Sequence, residues 1–527
     1  MRSGSRWSAA AWFLWRSALT WLLAAGSLSA LSLAGTEETL PLVACSISLI
    51  GSLGGGGGAA PGNGTAAQGP PAAFRLACWA DAGGSSEGSN TSVEVRAGAE
   101  LYSWLNNSST GGGGGTGGQG GRAQLSGVRI SLRQPVANTS GGGGGLPDWG
   151  LTIVGIPRLR LVDSVLSDMP LSPAGPLLEV LGCAELSIRN MTLAGLTAPS
   201  PPAAAFGAVR IAGALRRADV QGMACHDVTG ASGWACLLLS SGEDGGEAGT
   251  GRPLDPATSP TAQAISITDS NFTGNTVRGF AEPYGASCSV GISSPPAGAP
   301  PAGPSLAASG ALGFGAVLVL TPGGRQSGMG AVAVALHNTA LSSNTGGCGG
   351  ALSVAGSSQE ILVAMEASAA ANNSAVWGGA VFLGPTPAPH DAAATADIAL
   401  TNASSLGGNT AAEGGGAVFV SGANATCFRL IGGSSVSRNR ALAGSGGALL
   451  VADGTVSGLR LQDSALDNNT ARFGSGGAVS VAAGGIRDVY LYNSSLSGNA
   501  AHRQPSFQLT AIRPLAASPA PMDPYQM

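Results

Sequence analysis

The side chains that could support catalysis are few and scattered along this chain. Among 527 residues there are 29 acidic residues and 4 histidines. Enzymes that cleave polysaccharides need clustered carboxylates, either as an acid pair or as a calcium site. One compact acidic group, Glu243, Asp244 and Glu247, lies in a glycine-rich insertion, where a solvated loop is expected. No histidine has a partner at metal-ligand spacing, so the sequence predicts no catalytic residue, no metal and no cofactor.

A second kind of chemistry is the attachment of N-linked glycans. Twelve of the 20 asparagines are followed two residues later by Ser or Thr, which is the acceptor pattern of exported proteins. In a eukaryotic host this pattern predicts a glycosylated surface. The candidate glycosylation sites are Asn63, Asn90, Asn106, Asn138, Asn190, Asn271, Asn402 and Asn493.

The eight cysteines fit disulfides rather than a zinc site, because no Cys-x-x-Cys pair is present. Cys225 and Cys236, 11 residues apart in the sequence, are the favoured pair. A second option is Cys45 with Cys78. Cys348 and Cys427 are expected to be single buried thiols, which is common for intrachain cysteines.

The N-terminus has the features of an export signal. Arg2 and Arg6 precede an apolar stretch, and the small residues Ser32 and Ala34 would allow cleavage before Gly35. We therefore expect a secreted or cell-surface protein. The alternative is an uncleaved membrane anchor formed by residues 17–33.

Two repeated phrases predict the elements that position these residues. The clearer phrase is Gly-Gly-Ala-(Val/Leu)-x-(Val/Leu), in which the first and third residues after Ala are always Val or Leu. This alternation is typical of a β-strand with one buried face. The five full copies begin at Gly349, Gly378, Gly415, Gly446 and Gly476.

The variable position of this phrase predicts an outward-facing column of side chains. Its members are Ser353, Phe382, Phe419, Leu450 and Ser480. An exposed stripe of Phe382, Phe419 and Leu450 would be a possible contact site, because soluble monomers rarely expose contiguous apolar surface. The alternative is that a loop, such as residues 385–391, covers the stripe and makes it part of the core.

The second phrase is Asp/Asn-x-x-(apolar)-x-x-Asn, and its clearest apolar anchors, Leu406, Val436 and Leu466, are 30 residues apart. Short alternating runs at this period are typical of a solenoid of β-strands. We therefore predict an all-β parallel β-helix of about ten coils between Gly150 and Asn499, with Gly/Pro-rich loop insertions.

The closing asparagine of this phrase is expected to stack on its equivalents in neighbouring coils. Amides in such a column can bond to one another and to buried turn backbone. This structural role is favoured over a row of binding residues. The predicted ladder consists of Asn275, Asn344, Asn372, Asn409, Asn439, Asn469 and Asn499.

Together the two phrases resemble the repeat of the polymorphic outer-membrane proteins, bacterial surface adhesins with paired Gly-Gly-Ala-(Ile/Leu/Val) and Phe-x-x-Asn motifs. The resemblance implies a right-handed β-helix of the pectin-lyase type. It does not extend to an autotransporter barrel, which would need many further strands of about ten residues. The predicted regions are a signal peptide (1–34), an irregular β-rich region with glycine-rich linkers (35–149), the β-helix (150–500) and a disordered tail (501–527).

These features predict a structural or adhesive surface protein rather than an enzyme. Cell-wall components, extracellular-matrix components or other surface molecules are the expected partners. Nucleic acid is not expected, because the net charge is −4 and no basic segment is interleaved with aromatics. The alternative function is an extracellular polysaccharide lyase or hydrolase, because the β-helix supports many such enzymes.

Overall fold

A computed structural model shows that the protein is an all-β parallel solenoid. The structure describes four N-terminal strands within residues 42–133, and residues 150–502 apart from eleven gaps. The gaps are 155, 157, 172–174, 199–206, 214, 231–232, 241–261, 278–315, 322–330, 357–359 and 386–393. The predicted signal peptide, anchor and C-terminal tail lie outside the described residues.

Sheet 1 forms one long side of the solenoid and contains two parallel columns of strands. The first column comprises Arg158–Val162, Glu185–Arg189, Arg217–Gln221, Ala262–Thr268, Ala331–His337, Glu360–Glu366, Thr395–Thr401, Ala425–Ile431, Thr455–Gln462 and Val489–Tyr492. The second column comprises Val165–Ser167, Thr192–Ala194, Ala224–His226, Asn271–Thr273, Ala340–Ser342, Ala369–Ala371, Ser405–Gly407, Ser435–Ser437 and Ala465–Asp467.

The other two sides are sheets 2 and 3. Sheet 2 comprises Arg129–Arg133, Gly150–Val154, Leu178–Leu181, Val209–Ala212, Trp234–Ser240, Ala316–Thr321, Leu352–Gly356, Val381–Pro385, Val418–Val420, Leu449–Val451 and Val479–Val481. Sheet 3 comprises the pair Thr229–Gly230 and Thr276–Val277, followed by Ser374–Trp377, Thr410–Gly414, Arg440–Ala441, Thr470–Ala471 and Ala500–Ala501.

The register between coils follows the repeated phrases. The anchors Leu406, Val436 and Leu466 lie opposite one another in parallel strands, and the Gly-Gly-Ala strands pair in the same way in sheet 2. The solenoid has about 8 turns, so the predicted number of ten was too high. Sheet 3 has fewer strands than sheets 1 and 2, so the coils counted from the phrases are not all complete turns.

The strands before Gly150 extend the solenoid with mixed polarity. Leu42–Leu49 pairs antiparallel with Phe74–Asp81 and parallel with Arg158–Val162, and Arg129–Arg133 pairs antiparallel with Gly150–Val154. In the first of these pairs Cys45 lies opposite Cys78. This backbone register is compatible with the proposed Cys45–Cys78 disulfide, which remains a prediction.

The interior is a continuous apolar column from Leu151 to Val479. The glycine pair of the first phrase forms the corner before each sheet 2 strand. Gly446 has a φ of 70°, a conformation that only glycine adopts without cost. A Cβ on Gly447 would collide with the backbone of Gly477 and Thr470 in the next coil, so the pair allows the coils to stack closely.

Candidate interaction surface

A row of buried asparagines runs along one corner of the solenoid. Asn409 shows the pattern: its side-chain amide donates to Ala370 O at 3.0 Å and to Asn439 Oδ1 at 2.9 Å. Its backbone N–H also donates to Asn439 Oδ1 at 2.9 Å. Each amide before the half-buried Asn499 at the end of the row thus bonds both to backbone and to the next amide. The row consists of Asn275, Asn344, Asn373, Asn409, Asn439, Asn469 and Asn499.

The ladder prediction was wrong at one position, because the row contains Asn373 instead of Asn372. Asn373 is buried and bonds to Asn409 Oδ1 at 3.0 Å, whereas Asn372 is exposed with a φ of 55°. The closing asparagine always lies three residues after the buried anchor. In this coil the anchor is Ala370, whose small side chain made the register hard to recognise.

A second ladder, which was not predicted from the sequence, is built from hydroxyl groups at the neighbouring corner. Thr339 N–H donates to Ser368 Oγ at 3.0 Å, and Ser368 N–H donates to Ser404 Oγ at 3.2 Å. A signal for it was present, since each member lies two residues before the anchor. The equivalent hydroxyls, each of which donates to a backbone carbonyl just before it in the chain, belong to Ser270, Thr339, Ser368, Ser404, Ser434, Ser464 and Ser494. Bonds between neighbouring members link Thr339 to Ser368, Ser368 to Ser404 and Ser464 to Ser494.

The predicted exposed stripe on sheet 2 is buried. Phe382 is 0% exposed and Leu450 only 7%, and the two serines at its ends, Ser353 and Ser480, are buried as well. Trp377 packs on Phe419 with ring centroids 4.7 Å apart.

The members of the stripe form a small outer core together with Cys348 and Ala355. Strand alternation assigned the column to the outer side of the sheet, which is where it lies. It could not show that residues just before the glycine pair, such as Trp377 and Cys348, pack over that side.

The charged groups on the outer faces form separate pairs. Arg429 donates to Asp397 at 2.7 Å on sheet 1, and Arg210 donates to Glu179 at 2.8 Å on sheet 2. Among the described residues no group of three His, Cys, Asp or Glu side chains could hold a metal ion. The Glu243, Asp244 and Glu247 group lies outside the described residues.

One carboxylate on sheet 1 is oriented beside a histidine. Glu366 accepts from Asn402 Nδ2 at 2.6 Å through Oε1. Its other oxygen, Oε2, lies 3.5 Å from His337 Nδ1. These three side chains come from successive coils and lie on the outer face.

The cysteines divide into bonded and reduced groups. Cys225 and Cys236 form a disulfide, as predicted. Cys348 is also disulfide-bonded, which corrects its assignment as a single thiol. Cys427 carries a half-buried thiol. Burial raises the pKa of the Cys183 thiol to about 12, so this interior group is unreactive at neutral pH.

Four of the candidate glycosylation sites are described, and all are exposed: Asn190, Asn271, Asn402 and Asn493. Asn190 and Asn493 lie at left-handed corners. Their amides donate to the acid of the preceding coil, Asp163 or Asp463, at 3.0 and 2.8 Å. The sites Asn63, Asn90, Asn106 and Asn138 lie outside the described residues.

Exposed apolar side chains concentrate at the C-terminal end of the solenoid. Of the five large apolar side chains that are exposed in the described part, only Val165 lies elsewhere. The other four are 40–52% exposed and belong to the last coils: Leu442, Phe473, Tyr490 and Tyr492.

These side chains belong to two surfaces. We define the sheet 1 patch as Arg460, Tyr490 and Tyr492, and the sheet 3 patch as Arg440, Leu442, Arg472, Phe473 and His502. Neither patch is visible as a sequence motif, because its members come from different coils. In both patches arginines and aromatics that are not grouped in the sequence lie together on the folded surface.

Within the described residues no helix has the length and apolarity to cross a membrane.

Comparisons with known proteins do not assign the chain to a family. No family model, no curated protein and no solved structure matches the sequence.

Proposed function

We propose that this protein is an exported, non-catalytic rod that attaches to cell-wall or extracellular-matrix material. The observation that carries the proposal is the concentration of exposed aromatic and arginine side chains on the last coils of a solenoid. Two internal ladders hold these coils in fixed register. Rigid exposed aromatics contribute contact area at low conformational cost, and arginine adds directional hydrogen bonds.

The similarity to adhesin repeats agrees with this proposal. The Gly-Gly-Ala phrase supplies the corner of each coil, and the Phe-x-x-Asn phrase supplies the anchor and ladder amide. On this basis we infer that the repeat is of the polymorphic outer-membrane protein type, and that the helix is right-handed.

A sedimentation experiment tests attachment. Full-length secreted protein is incubated with insoluble wall or matrix material from its own source cells and with washed inert beads. We expect the protein to sediment with the wall or matrix material only. Protein that stays in the supernatant at every concentration of this material would contradict the proposal.

Export is tested by sequencing the N-terminus of protein recovered from the medium and from membranes. We expect cleavage after Ala34, giving a chain that starts at Gly35. Recovery only from membranes, with residues 1–33 retained, would favour the anchored form.

A second candidate is a polysaccharide lyase or hydrolase, favoured by the oriented Glu366 beside His337. A carboxylate fixed by one neighbour and close to a proton carrier has the arrangement of a general acid or base. Zymography on acidic and neutral polysaccharides would detect activity, and Glu366→Gln should abolish it. Activity that survives Glu366→Gln would exclude this group as the catalytic acid or base.

A further inference from the structure

The sheet 3 patch is assembled from three successive coils. Leu442, Arg472 and His502 are 30 residues apart, and each bonds to the preceding coil through its backbone N–H at 2.9–3.1 Å. They therefore form one column, in which neighbouring members are separated by about 4.8 Å, the spacing of paired strands. Arg440 and Phe473 flank this column on either side.

The cations of this patch are available for an external ligand. Within the described residues neither Arg440 nor Arg472 has a carboxylate at salt-bridge distance, and both are exposed. The Arg472 guanidinium lies 5.0 Å from the centroid of the Phe473 ring. That ring meets His502 edge-on, with centroids 6.1 Å apart. The patch thus combines an exposed ring with two guanidinium groups that have no carboxylate partner among the described residues.

The sheet 1 patch differs in its charge balance. Arg460 already donates to Gln462 at 2.7 Å, and its guanidinium lies 5.3 Å from the centroid of the Tyr490 ring. Asp488 is exposed, and its backbone carbonyl accepts from Leu459 N–H, next to Arg460, so a carboxylate lies near this patch. An anionic ligand would be repelled there. The sheet 3 patch is therefore the better electrostatic complement to an anion.

We propose that the sheet 3 patch binds an anionic polysaccharide that carries carboxylate or sulfate groups. Guanidinium groups bind both anions through paired hydrogen bonds. The exposed face of Phe473 offers a surface for the apolar side of a sugar ring. This inference rests on the proposed attachment to wall or matrix material and names the component that is recognised.

Direct binding measurements with defined polymers test the inference. Full-length protein is titrated with polygalacturonate, a sulfated galactan, a neutral β-glucan and duplex DNA at 0.15 M salt. The test variant is Arg440→Gln with Arg472→Gln. The matched control is Arg217→Gln with Arg487→Gln, which removes the same charge from exposed positions outside both patches. A thermal melt of each variant establishes that it is folded.

We expect one or both anionic polysaccharides to bind, and the neutral glucan not to bind. The test variant should bind about tenfold more weakly, the effect of losing two surface charge contacts. Phe473→Ala should weaken binding further, and the control should change it by less than about twofold. Comparison of polygalacturonate, which carries carboxylates, with the sulfated galactan identifies the preferred anion.

Three results would overturn the inference. They are equal loss in the test and control variants, equal binding of the neutral glucan, and binding of DNA as tight as that of either polysaccharide. Wall or matrix attachment that both double variants retain would leave the proposed function intact while removing this site. If the wild-type protein did not sediment with wall or matrix material, the proposed function itself would be wrong.

Discussion

The asparagine corner and the outer column of sheet 2 are both rows of side chains repeated from coil to coil, and both are buried. The corner row lies inside the solenoid, where the only partners for an amide are backbone groups and the next amide. The outer column lies on the side of the sheet 2 strands that faces away from the interior, and its burial depends on the residues that pack over it. The geometry of the coil determines the environment of the asparagine row, but not that of the outer column.

This difference explains why one row was easier to interpret than the other. A polar residue at a buried corner needs partners from within the repeat, so its role follows from the repeat alone. An apolar residue on the outer face has two possible roles, contact site or outer core. The choice is made by Trp377 and Cys348, which lie outside the phrase that defines the column.

The largest expected effect is the removal of the outer core. Phe382→Ala should lower the free energy of unfolding by about 3–5 kcal/mol, because it leaves a cavity beside Phe419. Phe473→Ala, at a 51% exposed position, is the matched control and should change stability by less than about 0.5 kcal/mol. Chemical denaturation measures both. Equal and small effects would show that the stripe is a surface feature after all.

The disulfide that joins sheet 1 to sheet 2 should have the next largest effect. Cys225 and Cys236 close a loop of 11 residues, and loss of a cross-link of this length costs about 3 kcal/mol. The variant Cys225→Ala with Cys236→Ala should melt at a lower temperature than the parent, whereas Cys427→Ala should not. A reducing agent should shift the parent in the same direction. An unchanged melt after verified reduction would contradict this contribution.

The fold could be predicted from sequence because the repeat encodes it redundantly. Leu406, Val436 and Leu466 are equally spaced, and each is followed by a ladder asparagine at the same distance. The prediction was inaccurate where a coil departs from this pattern. Ala370 is too small to stand out as an anchor, so Asn372 was chosen instead of Asn373.

The candidate surface could not be predicted because no local pattern specifies it. Arg440, Arg472 and His502 are separated by about one coil each, and they become neighbours only when the coil length and corner positions are known. The same limit applied to the hydroxyl ladder, although its fixed distance from the anchor could have revealed it. Features that repeat in every coil are visible in sequence, whereas a feature present in only two or three coils requires coordinates.

The corrected ladder predicts a contrast between two adjacent asparagines. Asn373→Ala removes bonds to Asn409 and to Leu341 O and leaves buried backbone without a partner, at a cost of about 1–3 kcal/mol. Asn372→Gly retains the left-handed corner and should be nearly neutral, because glycine adopts a positive φ freely. Denaturant midpoints of the two variants decide the matter. A greater loss in Asn372→Gly would restore the original assignment.

The smallest expected effect is a difference in thiol reactivity between the interior of the solenoid and its outer side. Cys183 lies in the core and donates to Glu185 O at 3.2 Å, and burial raises its pKa to about 12. Because the thiolate is the reactive form, iodoacetamide at pH 8 should label the half-buried Cys427 much faster than Cys183. Because the pKa of Cys183 is higher in the folded protein than its unfolded value of about 9, the protonated thiol stabilises the folded state fully at pH values below about 9. This contribution is lost as the pH rises toward about 12. Peptide mapping after timed labelling measures both rates, with the denatured protein as the reference for full reactivity. Equal labelling of the two cysteines in the native protein would show that the coil around Cys183 opens readily, which would contradict a tightly closed apolar core at this point.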